Sequence, residues 1–181
     1  AGSGQKELCE AIAGLQQVDA GSILMEGKRV DGLTPREIIR KGISMSFIPE
    51  DRLGMGLVGG MSITDNMLLK TYGDQQGPFL RRKPAKALAE KLIQRLQIST
   101  PSASIAVKKL SGGNVQKVLL GREIDLNPKV LITAYPVRGL DIGSSYTIYD
   151  LLQEQKRKGV GILYIGEDLD VLLELCDRIL V

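Results

Sequence analysis

Apolar positions in the second half of the chain come in short unbroken runs that alternate with helical patterns. The predicted helices span 115–126, 144–158 and 169–176, and the predicted strands span 129–134, 160–165 and 178–181. Strands that are apolar throughout and alternate with helices indicate a parallel sheet covered on both faces. The pattern therefore predicts an α/β core.

The first half of the chain shows shorter patterns. Apolar residues recur at helical spacing in 4–14, and turn residues around 20–30 indicate a hairpin. Alternation from Ile43 predicts a strand that ends at Pro49, followed by a flexible glycine-rich loop at 54–60. Residues 62–100 are mostly helical in pattern.

Two helix ends are marked by local signals. Thr34, Pro35 and Glu37 have the arrangement of an N-cap, a first helical residue and the closing acid of a capping box. Gly159 follows a basic helical segment and is predicted to be a C-cap.

Composition narrows the class of protein. The 181 residues are 43% hydrophobic and 25% charged, with no apolar run as long as a membrane span. The net charge of +3 is too small to argue for a nucleic-acid partner. The absence of histidine excludes His-based triads and His-ligated zinc. Cys9 and Cys176 lie in apolar segments and are predicted to be buried, reduced thiols.

A glycine-rich turn opens the chain. The stretch "AGSGQKEL" places Gly2, Ser3 and Gly4 just before a helix, where backbone N–H groups face an anion. A P-loop would continue with Lys and Ser/Thr, but Gln5 and Lys6 stand there. Lys6 does not replace the missing lysine, because one helical step rotates a side chain by about 100°. The backbone cradle for phosphate can persist, but its fixed cation and its metal-binding hydroxyl are absent.

A second glycine motif, "LSGGNVQK" at 110–117, is more specific. A purely structural N-cap would need only Ser111, and glycines cost a helix about 1 kcal/mol each relative to alanine. Gly112 and Gly113 are explained if a phosphate approaches the backbone closely. We therefore interpret this motif as a phosphate-facing segment.

The order of these motifs resembles one family. "LSGG", a polar helix, an apolar strand and "PVRGLD" follow one another as in the ATP-binding domains of ABC transporters. "FIPEDRLGMGL" (47–57) and "VRGLDIGSSYTIYDLL" (137–152) resemble the second ATPase half of tandem-domain importers for simple sugars and nucleosides. The resemblance covers essentially the whole chain and implies a P-loop NTPase (RecA-like) parallel sheet core with an inserted helical subdomain.

The resemblance also implies a division of the chain. Residues 1–55 and 116–181 would form the RecA-like core, and residues 56–115 a loop plus helical subdomain that ends at the signature motif. The fold would be truncated at both ends, because the chain opens in a loop-to-helix junction and stops in a strand-like run.

Several positions depart from the family's pattern. The family's strand ends in Asp-Glu, which hold magnesium and polarise the attacking water, and Ala134 and Tyr135 stand there. The switch histidine corresponds to Glu167, and the glutamine after the central strand to Glu50. A methyl group holds no metal, and a neutral phenol with a pKa near 10 is a poor base at pH 7. The chain's own nucleotide site is therefore expected to be nearly silent.

The signature has a different expected role. In the family, two domains meet head to tail, and each ATP lies between one domain's P-loop and the other's signature. Ser111, Gly112, Gly113 and Asn114 would thus serve a partner's ATP, and Asp141 would face that partner. Mg²⁺ would act mainly at the partner's site, and weak binding of ATP is expected at the chain's own site.

The partners implied by the resemblance are a second ABC ATPase domain, transmembrane permease subunits and, indirectly, an extracytoplasmic solute-binding protein. The implied location is the cytoplasmic face of the cell membrane. An ABC-type ATPase that drives no transport is a first alternative, although basic–aromatic interleaving typical of nucleic-acid binding is absent. A nucleotide-independent scaffold half is a second. An unrelated Rossmann-like enzyme would need GxGxxG followed by a ribose-binding acid, which the sequence lacks.

Overall fold

The structure, a computed structural model, describes residues 4–40, 45–75 and 79–180. Its strands are β1 (Leu24–Met25), β2 (Lys28–Arg29), β3 (Met45–Ile48), β4 (Val130–Ala134) and β5 (Gly161–Ile165). Its α-helices are α1 (Gln5–Ile12), α2 (Pro35–Arg40), α3 (Ile63–Thr71), α4 (Lys83–Arg95), α5 (Gly112–Asp125), α6 (Ile142–Arg157) and α7 (Leu169–Leu175).

The central sheet is parallel, as the apolar runs predict. Its strands lie in the order β3–β4–β5, with Phe47 opposite Ile132 and Ala134 opposite Ile165. Leu131 and Ile132 are completely buried, which is expected of a central strand covered on both faces. All three strands end at one edge, and binding sites of open α/β sheets lie beyond this carboxyl edge.

The expected last strand at 178–181 does not form over its described residues. Residues 178–180 have no strand pairing, and Leu180 is 97% exposed. A strand needs a hydrogen-bonded neighbour, so an apolar run alone does not produce one. The prediction was wrong for this segment.

One hydrophobic cluster joins the sheet to the helices around it. Leu119 of α5, Leu131 of β4 and Ile148 of α6 are each fully buried in it. Ile63 of α3 and Leu92 of α4 belong to the same cluster. The helical segment and the sheet therefore share one hydrophobic core. The proposed division at residues 55 and 116 stays a prediction.

Local signals in the first half match the structure. The Thr34 N–H donates to Glu37 Oε2 at 2.8 Å, and the Glu37 N–H donates to Thr34 Oγ1 at 3.3 Å, which completes the capping box. β1 and β2 pair as an antiparallel hairpin. Gly159 follows α6 with φ +84°, the left-handed conformation expected of a C-cap glycine.

Two segments differ from their predicted form. The first residues of the loop predicted at 54–60 belong instead to a π-helical turn, Arg52–Gly56, here called the π-turn. Asp51 caps it by accepting hydrogen bonds from the N–H groups of Leu53 and Gly54. Helix α5 begins at Gly112 instead of residue 115, because the Ser111 cap draws both glycines into its first turn.

The cysteines are free, and Cys9 is fully buried while Cys176 is half-buried. Burial raises the pKa of the Cys9 thiol to about 11, which makes it a poor nucleophile at neutral pH. Among the described residues, no helix is both long and apolar enough to cross a membrane.

Candidate functional site

The glycine-rich turn leads into α1 beside the end of β5. Gly4 is exposed with φ +86° and precedes the helix without a side-chain cap. Gln5 lines an open groove of about 580 Å³ that also borders Gly166, just after β5. Uncapped N–H groups at a helix start beside the carboxyl edge of a sheet suit an anion. Gly2 and Ser3 lie outside the described residues.

Lys6 points to the outer side of α1. Its side chain is 65% exposed, and its Nζ lies 3.8 Å from Glu10 Oε1, one helical turn further on. Such an i,i+4 pair lies on the helix surface. This placement agrees with the expectation that Lys6 does not take over the role of the P-loop lysine.

The end of β4 carries no carboxylate. Ala134 is buried as the last strand residue, and Tyr135 follows with φ +49°. The Tyr135 N–H donates to the carbonyl of Ile165 at 2.8 Å, which extends the β4–β5 pairing by one residue. Glu167, two residues beyond β5, is exposed.

A cationic cluster stands beside these positions, and the sequence analysis missed it. Arg138 forms an ion pair with Glu50, and its guanidinium carbon lies 5.6 Å from the centre of the Tyr135 ring. Arg52 donates a hydrogen bond to the backbone carbonyl of Arg138. A signal was present in the sequence: Arg52 and Arg138 each follow a predicted strand by only a few residues.

This cluster does not fit a magnesium ion. Mg²⁺ takes oxygen ligands in octahedral geometry, usually from carboxylates and phosphates. Within the described ranges, no group of three or more acidic, cysteine or histidine side chains could hold a metal. Glu50 is the carboxylate at the end of β3, and it already neutralises Arg138. The residues present therefore provide a charge-neutral pair instead of a metal site.

The signature forms the exposed start of α5. Ser111 Oγ accepts from the Asn114 N–H at 3.5 Å and from Asn114 Nδ2 at 2.9 Å. Asn114 Oδ1 in turn accepts from the Ser99 N–H at 3.0 Å. Asn114 thus has a positioning role within its own chain, since it ties the loop at Ser99 to the cap of α5.

The two signature glycines differ in what surrounds them. A Cβ on Gly113 would lie 2.9 Å from Ser144 Cβ, so this chain's own packing already requires glycine there. A Cβ on Gly112 would meet its nearest atom, on Arg52, at 3.6 Å, which is an ordinary contact. Gly112 is exposed and Gly113 is buried. Packing within this chain thus gives a reason for glycine at position 113 that needs no phosphate, whereas it gives none at position 112, and the phosphate-facing role of both glycines stays a prediction.

Asp141 caps helix α6. Its Oδ1 accepts from the Ser144 N–H at 2.9 Å and its Oδ2 from the Ser144 hydroxyl at 2.6 Å. These two bonds, the hydroxyl first, lower the pKa of the exposed Asp141 carboxyl. Ser144 also contacts Gly113, so Asp141 and the signature are linked through one serine.

Sequence comparison gives this arrangement a family. The family profile described as "ABC transporter" matches residues 1–136. The guanosine import ATP-binding protein NupO of Bacillus subtilis is 40% identical over 99% of this chain and 36% of its own length. The ribose import ATP-binding protein RbsA of Oceanobacillus iheyensis is 38% identical over 99% of this chain and 36% of its own. The chain thus spans about a third of the length of these relatives.

Solved structures agree in fold. A dimeric ATP-binding cassette bound to ADP and Pi superposes with a TM-score of 0.78 at 19% identity, over 94% of this chain and 72% of that one. A nucleotide-free cassette from an ABC transporter superposes with a TM-score of 0.74 at 26% identity, over 97% of this chain and 71% of that one. The chain therefore belongs to the ABC transporter family and has the P-loop fold of its ATP-binding cassettes.

Proposed function

We propose that this chain is an ATP-binding domain of an ABC importer for simple sugars or nucleosides. Its own nucleotide site hydrolyses little or no ATP, and its signature completes the ATPase site of a second ATP-binding domain. The similarity to guanosine and ribose import ATP-binding proteins supports the importer role. Tandem-half importers of this kind would place the two domains in one chain.

The observation that carries the proposal is the contrast between the two phosphate-facing segments. At the end of β4, Arg138 is paired with Glu50 and no acid follows the strand. At the start of α5, Ser111 and Gly112 are exposed and a phosphate has access to the backbone N–H groups. Loss of a general base alone lowers the rate of hydrolysis about 10²–10⁴-fold. The site at the end of β4 is therefore inactive, while the segment at the start of α5 can still bind a phosphate.

The partners follow from this assignment. ATP with Mg²⁺ binds between the P-loop of the second domain and Ser111–Gly113 of this one. Permease subunits hold both domains at the cytoplasmic face of the membrane, and a solute-binding protein delivers the sugar or nucleoside from outside. Asp141, next to the signature in space, faces the second domain.

Gly112→Ala in the full-length protein tests the role of the signature. The methyl group fits the packing of this chain but occupies the path of a phosphate, so turnover should fall at least tenfold, about 1.4 kcal/mol in the barrier. The free energy of unfolding should stay equal or rise, since alanine is the better helix former by up to about 1 kcal/mol. Gly113→Ala is a poorer test, because it disturbs Ser144 directly.

Gly161→Ala is the matched control. It adds the same methyl group in β5, where the nearest atom lies 3.7 Å away, and it should leave turnover unchanged. Wild-type turnover in the Gly112→Ala variant would refute the role of the signature. Rapid ATP hydrolysis by this chain alone would refute the inactivity of its own site.

A further inference from the structure

The π-turn packs along one face of the helix that carries the signature. A Cβ on Gly112 would lie 3.6 Å from Arg52, and Leu119 Cδ2 comes within 2.8 Å of the Cβ position of Gly56. Arg122 donates to the carbonyl of Gly56 at 2.7 Å. Positions 112, 119 and 122 recur at helical spacing, so the contact extends over three turns of α5.

Arg52 connects this face to the loop after β4. Its guanidinium donates to the backbone carbonyl of Arg138, whose own side chain is paired with Glu50. The same guanidinium lies beside Gly112, since its Nη1 is 3.6 Å from the position that a Cβ would take there. A single half-buried side chain therefore bonds to the loop after β4 and lies next to the first residue of the signature helix.

The placement of this charge is unusual for a helix start. The N-terminus of a helix carries a partial positive charge, so a neighbouring guanidinium is unfavourable there in the absence of an anion. Burial also lowers the pKa of Arg52, because desolvation disfavours its charged form.

We propose that Arg52 is a positioning residue that fixes the phosphate-facing backbone of Ser111 and Gly112 relative to the loop after β4. The inference rests on the proposed function, in which that backbone binds ATP of the second domain. The planar guanidinium bonds to the loop after β4 through one nitrogen and places another beside the start of α5, a geometry that a lysine ammonium does not reproduce.

Arg52→Met in the full-length protein tests the inference. We expect kcat to fall about tenfold, equivalent to about 1.4 kcal/mol, with the KM for ATP within twofold of wild type. Amide hydrogen exchange should become faster in residues 110–116 and stay unchanged in residues 130–134. Arg95→Met is the matched control, because Arg95 joins α4 to Glu154 of α6 through bonds of 2.7 and 2.8 Å, away from the signature.

Arg52→Lys separates positioning from charge. Lysine keeps the positive charge but not the two-sided contact, so it should recover only part of the lost turnover. Full recovery by lysine, or an Arg52→Met loss no larger than that of Arg95→Met, would overturn the inference. If Arg52→Met does not fold, the lysine variant and its hydrogen exchange decide the question. Gly112→Ala keeps the two proposals apart: an active Gly112→Ala variant refutes the proposed function, whereas an impaired one with active Arg52 variants refutes only this inference.

Discussion

Arg138 and Glu50 form an ion pair at the carboxyl edge of the sheet, although 88 residues separate them along the chain. Glu50 follows β3 and Arg138 follows β4, so the pair bridges adjacent parallel strands. Both side chains are about half exposed, and exposed pairs contribute only about 0–1 kcal/mol to stability. The main consequence of the pair concerns ligands, because Glu50 is already neutralised where a metal would need a free carboxylate.

Restoring the two missing acids should therefore recover little ATP hydrolysis. Ala134→Asp with Tyr135→Glu supplies two carboxylates. Gln5 still provides no cation for the phosphates, however, and Glu50 is still paired with Arg138. Groups that act as a unit in phosphoryl transfer are strongly non-additive, so we expect a rise of less than about tenfold. Phosphate release by the purified double variant measures this.

The informative comparison adds Gln5→Lys to the double variant. If the P-loop cation is the larger deficit, the triple variant should exceed the double variant clearly in rate. A double variant that already reaches rates typical of transporter ATPases would contradict the account, because its site would need neither the lysine nor a free Glu50.

Asp141 should stabilise helix α6 in a pH-dependent way. Its pKa is lowered in the folded state, first by the Ser144 hydroxyl and then by the Ser144 N–H. A lowered folded-state pKa gives stability that is fully present above the unfolded aspartate pKa of about 4 and is lost as the pH falls through the folded value. The difference in unfolding free energy between wild type and Asp141→Ala should therefore shrink in acid.

Two variants check the origin of this effect. Asp141→Asn keeps an N-cap acceptor without a titrating group, so its stability should lack this acid-dependent loss. Asp150→Ala removes a carboxylate from the same helix beyond its first turn, so it is the matched control for the loss of a negative charge. A constant difference between wild type and Asp141→Ala from pH 7 to pH 2 would contradict the prediction.

Local chemistry predicted much of the fold. The capping box of Thr34 and Glu37, the apolar run of β4 and the C-cap at Gly159 depend on neighbours within a few residues, and each is present. The expected strand at the end of the chain failed over residues 178–180, because strand formation depends on a partner that an apolar run does not specify.

The candidate site was less predictable, since its contacts join distant segments. The Arg138–Glu50 pair and the contact of Gly113 with Ser144 arise only when separate elements pack together. The sequence shows that acids are missing at positions 134 and 135. It does not show that Arg52 and Arg138 become neighbours, because that depends on tertiary packing. Sequence reasoning also assigned both signature glycines to one cause, although tertiary packing supplies a second cause for Gly113.

A buried ionic network links α3 to α5 and should be important for stability. Glu123 is fully buried, accepts from Arg122 at 2.8 Å and lies 3.2 Å from Lys70. Removing one partner of a buried pair costs about 3–5 kcal/mol, because the other charge is left uncompensated. Glu123→Ala should lower the free energy of unfolding by this amount in urea denaturation.

A double-mutant cycle separates the ionic part from lost packing. Arg122→Met combined with Glu123→Ala removes both charges, so its loss should be smaller than the sum of the two single losses. Lys91→Met is the control, since it removes an exposed ion pair with Asp125, which lies on the same helix as Glu123. It should lower the free energy of unfolding by no more than about 1 kcal/mol. If the losses in free energy of unfolding of Arg122→Met and Glu123→Ala simply add in the double variant, the two charges do not interact and the network would be contradicted.

The Gln116 side chain should lower the free energy of unfolding of this chain and at the same time support ATP turnover. It is fully buried in α5, four residues after Gly112 on the face that contacts the π-turn, and among the described residues neither amide atom has a hydrogen-bond partner. An unsatisfied buried amide costs about 1–3 kcal/mol, so Gln116→Leu should raise the free energy of unfolding. A costly polar group is kept where function needs it, so ATP turnover of the full-length variant should fall.

Gln155→Leu is the matched control, because its amide nitrogen is also buried without a partner but lies in α6, away from the π-turn. Both leucine variants should be more stable by urea denaturation, and only Gln116→Leu should lose turnover; equal turnover in the two would assign Gln116 no role beyond packing.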